Sequence, residues 1–431
     1  MKKIVAFLIV MALLLSACTF TEKQSEETHI TFDDNVVTVD GKAIARDRSA
    51  AVYAANDIVF YLAGQGFTYG EGKKQDEHEQ SEADAHTVVH ITKAGRYVLN
   101  GELALGQIAV DLGKDAKTDP NAVVTLVLNG VDITCTVAPG IIFYNVYECD
   151  SNDEDAATKD VDTTNAGANV IIADETENTI NGSYVAKIYK SYELSEEGKE
   201  LVDSKKLHKY DGAVYSKQTM TINGGNKGTG VLNINAENEG LNSERHLTIN
   251  GGTINVTSGN DGINTNEENI SVTTINGGSV TILCDGGMGE GDGIDSNGWL
   301  VINGGNVTAQ ACSFSMDSGI DSDKGIYING GNVMATGNML DHIADGDQTY
   351  AVFRFANRQQ GGSTYTLKNA DGMVVKEYTP ANDFSYLVVA GDTLIPGNYT
   401  FQKDGSELSA ASSFAIAAGA NQFLDVTSAV S

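Results

Sequence analysis

The sequence predicts an all-β fold, a right-handed parallel β-helix closed by a small C-terminal antiparallel β cap. Three observations predict it. An aliphatic strand ending in Asn-Gly-Gly recurs five times, with asparagines at Asn223, Asn250, Asn276, Asn303 and Asn329, at intervals of 27, 26, 27 and 26 residues. A near-fixed period of this size marks a solenoid whose repeats rest on their neighbours. Around each Asn the side chains alternate. Ile222, Ile249, Ile275, Ile302 and Ile328 precede it directly, Met220, Leu247, Thr273, Leu300 and Ile326 stand three before, and Thr221, Thr248, Thr274, Val301 and Tyr327 lie between. Period two means a strand with one buried face. Each repeat then carries two more short segments, one of which reads Gly-hydrophobic-Asn/Asp-Ser/Thr, as at Gly262-Ile263-Asn264-Thr265 and Gly293-Ile294-Asp295-Ser296. Three strands per repeat with glycine at the corners would stack equivalent residues at about 4.8 Å.

Each part of the chain takes its place around that stretch. Residues 1–18 read as a lipoprotein signal, with basic Lys2-Lys3, an apolar run from Ile4 to Leu15 too short to span a bilayer, and Leu15-Ser16-Ala17-Cys18 at the cleavage region. Cys18 is the expected lipidation site, which places the protein outside the cell, anchored to the outer face of the bacterial cytoplasmic membrane or at the cell surface. Residues 19–27 form a polar tether. The β-helix is expected over 28–347, with degenerate coils to about 209 and regular coils over 210–347. Residues 28–110 can supply an atypical first unit covering the open end. Insertions at 70–86 and 148–169 read as acidic loops. In 184–209, Ser195-Glu196-Glu197 ahead of a helix-like run suggests a short helix. Residues 348–431 read as strands separated by Gly, Asn and Asp turns, a unit capping the last coil. The cysteines beyond Cys18 (Cys135, Cys149, Cys284, Cys312) show no close spacing that demands a disulfide.

Composition narrows the partners. With 47 Gly, 4 Pro and 41% hydrophobic residues the chain suits a β-rich globular protein. A net charge of −30 argues against nucleic acid and against an anionic membrane surface, which need clustered Lys and Arg. A monomer is expected.

The chemistry lies in two columns of oxygen-bearing side chains. Asp211, Glu239, Asp261, Asp292, Ser318 and Asp345 precede the repeated glycine, Asn242, Asn264, Asp295 and Asp321 stand two after it, and Asp347 follows the last such glycine directly. Carboxylates about 5 Å apart repel by about 3 kcal/mol at an effective dielectric near 20. No Lys or Arg occupies either column, so the columns must be open to water, partly protonated or neutralised by a cation. Oxygen-only ligands favour Ca²⁺. The expected ligands are Asp261, Asn264, Asp292, Asp295 and Asp321, with Asp285, Asp317 and Asp323 from adjoining loops. The competing reading is that Asp-Gly is merely a good turn. The Asn-Gly-Gly column reads as structural: Asn tolerates a left-handed bend, and stacked amides can hydrogen-bond in a ladder.

Several segments together resemble the bacterial exported carbohydrate-binding β-helix family, which is similar in fold to pectate lyases. They are Val123-Thr-Leu-Val-Leu-Asn-Gly-Val-Asp-Ile133, Glu177-Asn178-Thr179-Ile180, Tyr215-Ser216-Lys217 with Met220-Thr221-Ile222-Asn223-Gly224-Gly225, the Asp-Gly-Ile segments, and Thr379-Pro380-Ala381. The resemblance implies a calcium-containing surface protein that binds polysaccharide, either plant cell-wall glucan or acidic pectin. The residues themselves support non-catalytic binding along one flank, with Thr248, Thr274 and Tyr327 in an outward row and Trp299 turned away from the Leu300/Ile302 face to stack on a sugar. Packing of Trp299 under a loop is the alternative. No catalytic residue is assigned. The competing functions are a calcium-dependent pectate-type lyase, with Arg245 or Lys324 as base, and a structural surface adhesin.

Overall fold

The computed structural model describes residues 27–408, apart from 34, 35, 152, 345 and 396, and two further strands, Ser413–Ile416 and Gln422–Val426. The signal segment, Cys18 and Asp345 lie outside the described residues. The described chain is nearly all β, with only the five-residue helix Gln80–Asp84 and three single 3₁₀ turns.

The repeats build three ladders, the third ending before the last two repeats, and the pairing between successive repeats is parallel. The first ladder carries Met220–Gly224, Leu247–Ile249, Val272–Ile275, Trp299–Ile302 and Ile326–Ile328. The second carries Val231–Ala236, Thr253–Ser258, Ser279–Cys284, Asn306–Gln310 and Asn332–Gly337. The third carries Gly212–Ser216, Glu239–Ser243, Ile263–Thr265 and Ile294–Ser296. Register follows the sequence period, with Ile222 beside Ile249, Ile249 beside Ile275, Ile275 beside Ile302 and Ile302 beside Ile328. These isoleucines are fully buried in one continuous core running from Ile30 to Ala390. A one-residue slip would turn every one of them outward, which fixes the register.

The ladders begin well before the regular repeats. Thr87–Ile91, Gly106–Asp111 and Ile141–Asn145 already pair in parallel in the third ladder, and Gly95–Leu103 pairs with Val124–Cys135. The atypical first unit is therefore shorter than 28–110. It consists of antiparallel strands such as Val36–Val39 on Glu27–Asp33 and Val52–Ala55 on Thr87–Ile91. At the other end, Phe384–Ala390 pairs antiparallel with both Asn332–Gly337 and Tyr350–Gln359 and covers the last second-ladder edge. Tyr350–Gln359 also pairs in parallel with Gln422–Val426, so this end is mixed rather than purely antiparallel.

Two local expectations are corrected. Residues 184–209 hold no helix. Val185–Leu194 and Leu201–Tyr210 form an antiparallel hairpin whose turn contains Gly198 at φ +66°. The run after Ser195-Glu196-Glu197 has no apolar face to bury as a helix: Leu201–Tyr210 is mostly exposed, Val202 and Leu207 included, and pairs as a strand instead. At the Asn-Gly-Gly corners the left-handed residue is not Asn but the second glycine, at φ +82° to +91° for Gly252, Gly278, Gly305 and Gly331. That leaves each Asn on the strand, where its amide can reach the next coil.

The glycine of the Asp-Gly segment is demanded by contact. A Cβ on Gly262 would lie 2.1 Å from Ile282 Cγ2 and 2.7 Å from the Gly293 carbonyl oxygen, and one on Gly240 would lie 2.3 Å from Val256 Cγ1. A second-ladder side chain fills the space that a Cβ would need, so the motif is more than a turn preference. Gly262→Ala is expected to destabilise by about 1–3 kcal/mol through overpacking. Urea unfolding checks this; a midpoint within error of the wild type would contradict it.

Candidate functional site

Two features stand out, and both are built by the ladders. The first is a groove of about 530 Å³ over the outward face of the first ladder. Its floor is Thr221, Thr248, Thr274 and Val301, in register with one another, and its rim is Asn223, Asn250, Asn276 and Asn303. The asparagines form the expected ladder: each Nδ2 donates to the Oδ1 one coil earlier at 2.9 Å, from Asn329 down to Asn223. The opposite wall is a surprise. Residues 159–164 of the insertion at 148–169 lie across this face, and Thr163 Oγ1 donates to Thr248 Oγ1 at 2.8 Å. Thr248 thus points outward as expected but is buried under that loop. Tyr327, next to Val301 in register, lies beyond the lining residues, with Lys159 Nζ 5.3 Å from its ring centroid. Trp299 is half-buried two residues before Val301, with Lys324 Nζ 5.0 Å from its ring centroid. The lysine accounts for much of its cover.

The second feature is the acidic column. The chain threads it with backbone bonds, as Gly240, Gly262 and Gly293 donate to the carbonyl oxygens of Asp261, Asp292 and Ser318 at 3.0 Å each. Its first part is closed to water, with Asp211, Glu239 and Asp261 5%, 5% and 8% exposed, whereas Asp292, Asp295 and Asp321 are half-buried and Asp323 is exposed. Burial pushes the Glu239 and Asp261 carboxyls well above the usual carboxylate range, with neighbouring acids adding to the effect. Burial likewise raises Asp292 to about 8, Asp295 to about 6 and Asp321 to about 7. At one end the column meets a cation, since Lys209 of the hairpin pairs with Asp211 at 3.0 Å.

The structure brings Asp261, Asn264, Asp292, Asp295, Asp317, Asp321 and Asp323 into one electrostatic neighbourhood, each raising or binding another. Asp285 stands apart. It is exposed, and its carboxylate accepts the Gly287 N–H at 2.8 Å. Asp341, which the repeat pattern did not reveal, accepts the Ser322 N–H at 3.2 Å and hydrogen-bonds Asp321. Among the described residues no three His, Cys, Asp or Glu side chains close on one point as a ready metal cage. The donor set nonetheless fits an oxygen-seeking cation. Asn264 Oδ1 and Ser318 Oγ are buried in this column without a hydrogen-bond partner, beside carboxyls that burial holds back from ionising.

Of the candidate lyase bases, Lys324 lies over the Trp299 ring, and Arg245 is held in the protein interior beside His246. Arg245 is buried, with Nη2 donating to the Ser151 carbonyl oxygen at 2.5 Å. His246 is buried between Asp150, 3.1 Å from Nε2, and the Val272 N–H, 3.1 Å from Nδ1. Both brace the insertion against the repeats. Cys135, Cys149, Cys284 and Cys312 are free thiols.

No curated protein matches the chain. A solved structure described as "Structure of the polysaccharide lyase-like protein from C. thermocellum, Gadolinium derivative" is 21% identical, covering 74% of this chain and 99% of that one, with a TM-score of 0.39. A likeness at that score bears on neither the fold nor the function of this chain. The family model described as "Carbohydrate-binding domain-containing protein" matches residues 85–413, well over half of the sequence. The chain belongs to the family of carbohydrate-binding domain-containing proteins.

Proposed function

We propose that the protein binds polysaccharide, without catalysis, in the groove between the asparagine ladder and residues 159–164. The observation that carries this reading is the groove itself. It offers the half-exposed hydroxyl of Thr274 and the exposed amides of Asn250, Asn276 and Asn303, the amides at the coil spacing of about 4.8 Å. Such a row of mixed donors and acceptors suits a hydroxyl-rich chain, and family membership supports the ligand class. Tyr327 and Trp299 at the far end supply aromatic faces for a sugar ring. The ligands we favour are plant cell-wall glucan and acidic pectin. The three ladders, on this reading, wind as a right-handed parallel β-helix, 28–347, with the cap at 348–431.

Calcium would stabilise the acidic column, held by a subset of Asp261, Asn264, Asp292, Asp295 and Asp321 with Asp317 or Asp323. It would supply the positive charge that lets these carboxyls ionise. Export and a lipid anchor at Cys18 complete the proposal. Metabolic labelling with a fatty-acid probe should mark the wild type and not Cys18→Ala; equal label in both would end the anchoring claim.

Pull-down on insoluble cellulose and affinity electrophoresis in polygalacturonate, each with and without chelator, test the binding. Retention without release of unsaturated products is expected. Sustained product formation would favour a lyase, and retention on neither polymer with no turnover would favour a structural adhesin.

A further inference from the structure

The hairpin of 184–209 leaves one strand edge open. Val185–Leu194 and Leu201–Tyr210 form a two-stranded sheet of their own. The first strand is covered near its base, where the Tyr189 N–H donates to the Tyr69 carbonyl oxygen and the Glu71 N–H to that of Lys187, each at about the same length (2.9 and 2.8 Å). The second strand has no such cover. Among the described residues, the backbone of 201–209 makes no backbone hydrogen bond outside the hairpin. At its middle the Ser204 N–H donates to the neighbouring Asp203 carboxylate at 2.8 Å. Val202 and Leu207 on this strand are 68% and 45% exposed. A two-stranded ribbon is marginal by itself, and a long open edge is a template for another strand. Proteins that keep such an edge single blunt it with lysine. Here Lys205 and Lys206 lie on the edge, but Asp203 lies on it with them, and Lys206 is already answered by Glu244 at 3.2 Å.

We propose that a second copy of this chain supplies the missing strand, with the two copies of Leu201–Tyr210 antiparallel about a two-fold axis at Ser204. The order of residues selects both the partner and the register. Centred on Ser204, the pairing sets Asp203 opposite Lys205, Leu201 opposite Leu207 and Glu200 opposite His208, and the symmetry makes each pair twice. Val202 meets the aliphatic stem of Lys206. Moving the axis by one residue sets Asp203 against its own copy in one direction and Lys205 against its own copy in the other. Like charges directly opposite destabilise a sheet, whereas opposite charges and apolar pairs stabilise it, so the Ser204 register is the favoured one. The edge contact of two ribbons is small beside a standard protein interface, so the association is weak and concentration-dependent. The monomer expected from the sequence becomes, on this inference, one side of a monomer–dimer equilibrium. The pairing does not rest on the polysaccharide-binding reading; where both hold, the dimer carries two grooves and gains avidity for a long polymer.

The test is sedimentation equilibrium of the full chain over a wide range of concentration. Wild type should populate a dimer as concentration rises. Asp203→Lys turns two attractive pairs into two repulsive ones and should weaken dimerisation about tenfold or more. Lys205→Asp should do the same. Combining Asp203→Lys with Lys205→Asp restores opposite charges across the axis and should restore the dimer. Both side chains are exposed, so each variant should melt as the wild type does, which separates lost pairing from lost folding. A wild type that stays monomeric throughout, a dimer indifferent to both single exchanges, or a double exchange that fails to recover dimerisation would overturn the inference.

Discussion

Metal-free protein will be more stable at pH 5 than at pH 8, and millimolar calcium will reverse the order. The sign follows from the raised carboxyls of the column. An Asp titrates near 3.8 when unfolded, but Asp295, Asp321 and Asp292 hold their protons to about 6, 7 and 8 in the folded state, and burial holds Asp261 and Glu239 well above the usual carboxylate range too. Between about pH 4 and pH 8 the folded state therefore binds more protons than the unfolded one. Stability must fall with rising pH across that window, by up to about 1.4 kcal/mol per unit for each group titrating only in the unfolded state. Below the unfolded value both states are protonated and the column costs nothing. Calcium competes with these protons, so its affinity rises with pH. At a hundredfold excess over Kd it adds about 2.7 kcal/mol to stability. Melting curves at the two pH values, in chelator and in calcium, read all four quantities. A metal-free protein that gains stability from pH 5 to pH 8, or a melting temperature indifferent to calcium at pH 8 with no metal by elemental analysis, would refute the column's assignment.

Removing the aromatic end of the groove will cost most of the affinity for polysaccharide. Trp299 and Tyr327 are half-buried beside the groove, Tyr327 paired with the lining residue Val301 and Trp299 two residues before it on the same strand. Truncating a well-placed aromatic at an interface typically costs about 2 kcal/mol or more, roughly a thirtyfold loss. Trp299→Ala with Tyr327→Ala should then abolish retention on cellulose at protein concentrations that saturate the wild type. The partners left behind, Lys324 and Lys159, return to solvent without penalty, so the fold should survive. Asn276→Ala makes an informative contrast. It breaks the bonds to Asn250 and from Asn303, at about 0.5–1.5 kcal/mol of stability each, and should weaken binding less. Unchanged retention of the aromatic double variant would move the site elsewhere.

What was legible in the sequence is whatever the stack repeats. Ile249, Ile275 and Ile302 betray their shared face because each sits on the next, and Asn250, Asn276 and Asn303 betray their ladder for the same reason. Two aperiodic insertions were not legible, and they shape both sites. Nothing in residues 148–169 announces that Thr163 will meet Thr248, 85 residues on. Nothing in 184–209 shows that the hairpin will carry Lys209 to Asp211 and Lys206 to Glu244. Asp341 escaped because it follows the last regular repeat, where the period no longer predicts neighbours. Asn242, Asn264 and Asp295 stand in register as their spacing suggests, but the burial of Asp211, Glu239 and Asp261 depends on cover that sequence spacing does not encode.

Hydrogen–deuterium exchange of the full chain, with and without a saturating cello- or galacturono-oligosaccharide in calcium, tests the central claim most directly. Binding in the groove should slow exchange in residues 159–164 and in Met220–Gly224, Leu247–Ile249, Val272–Ile275 and Trp299–Ile302. Protection confined to other faces, with these segments unchanged under saturation, would contradict it.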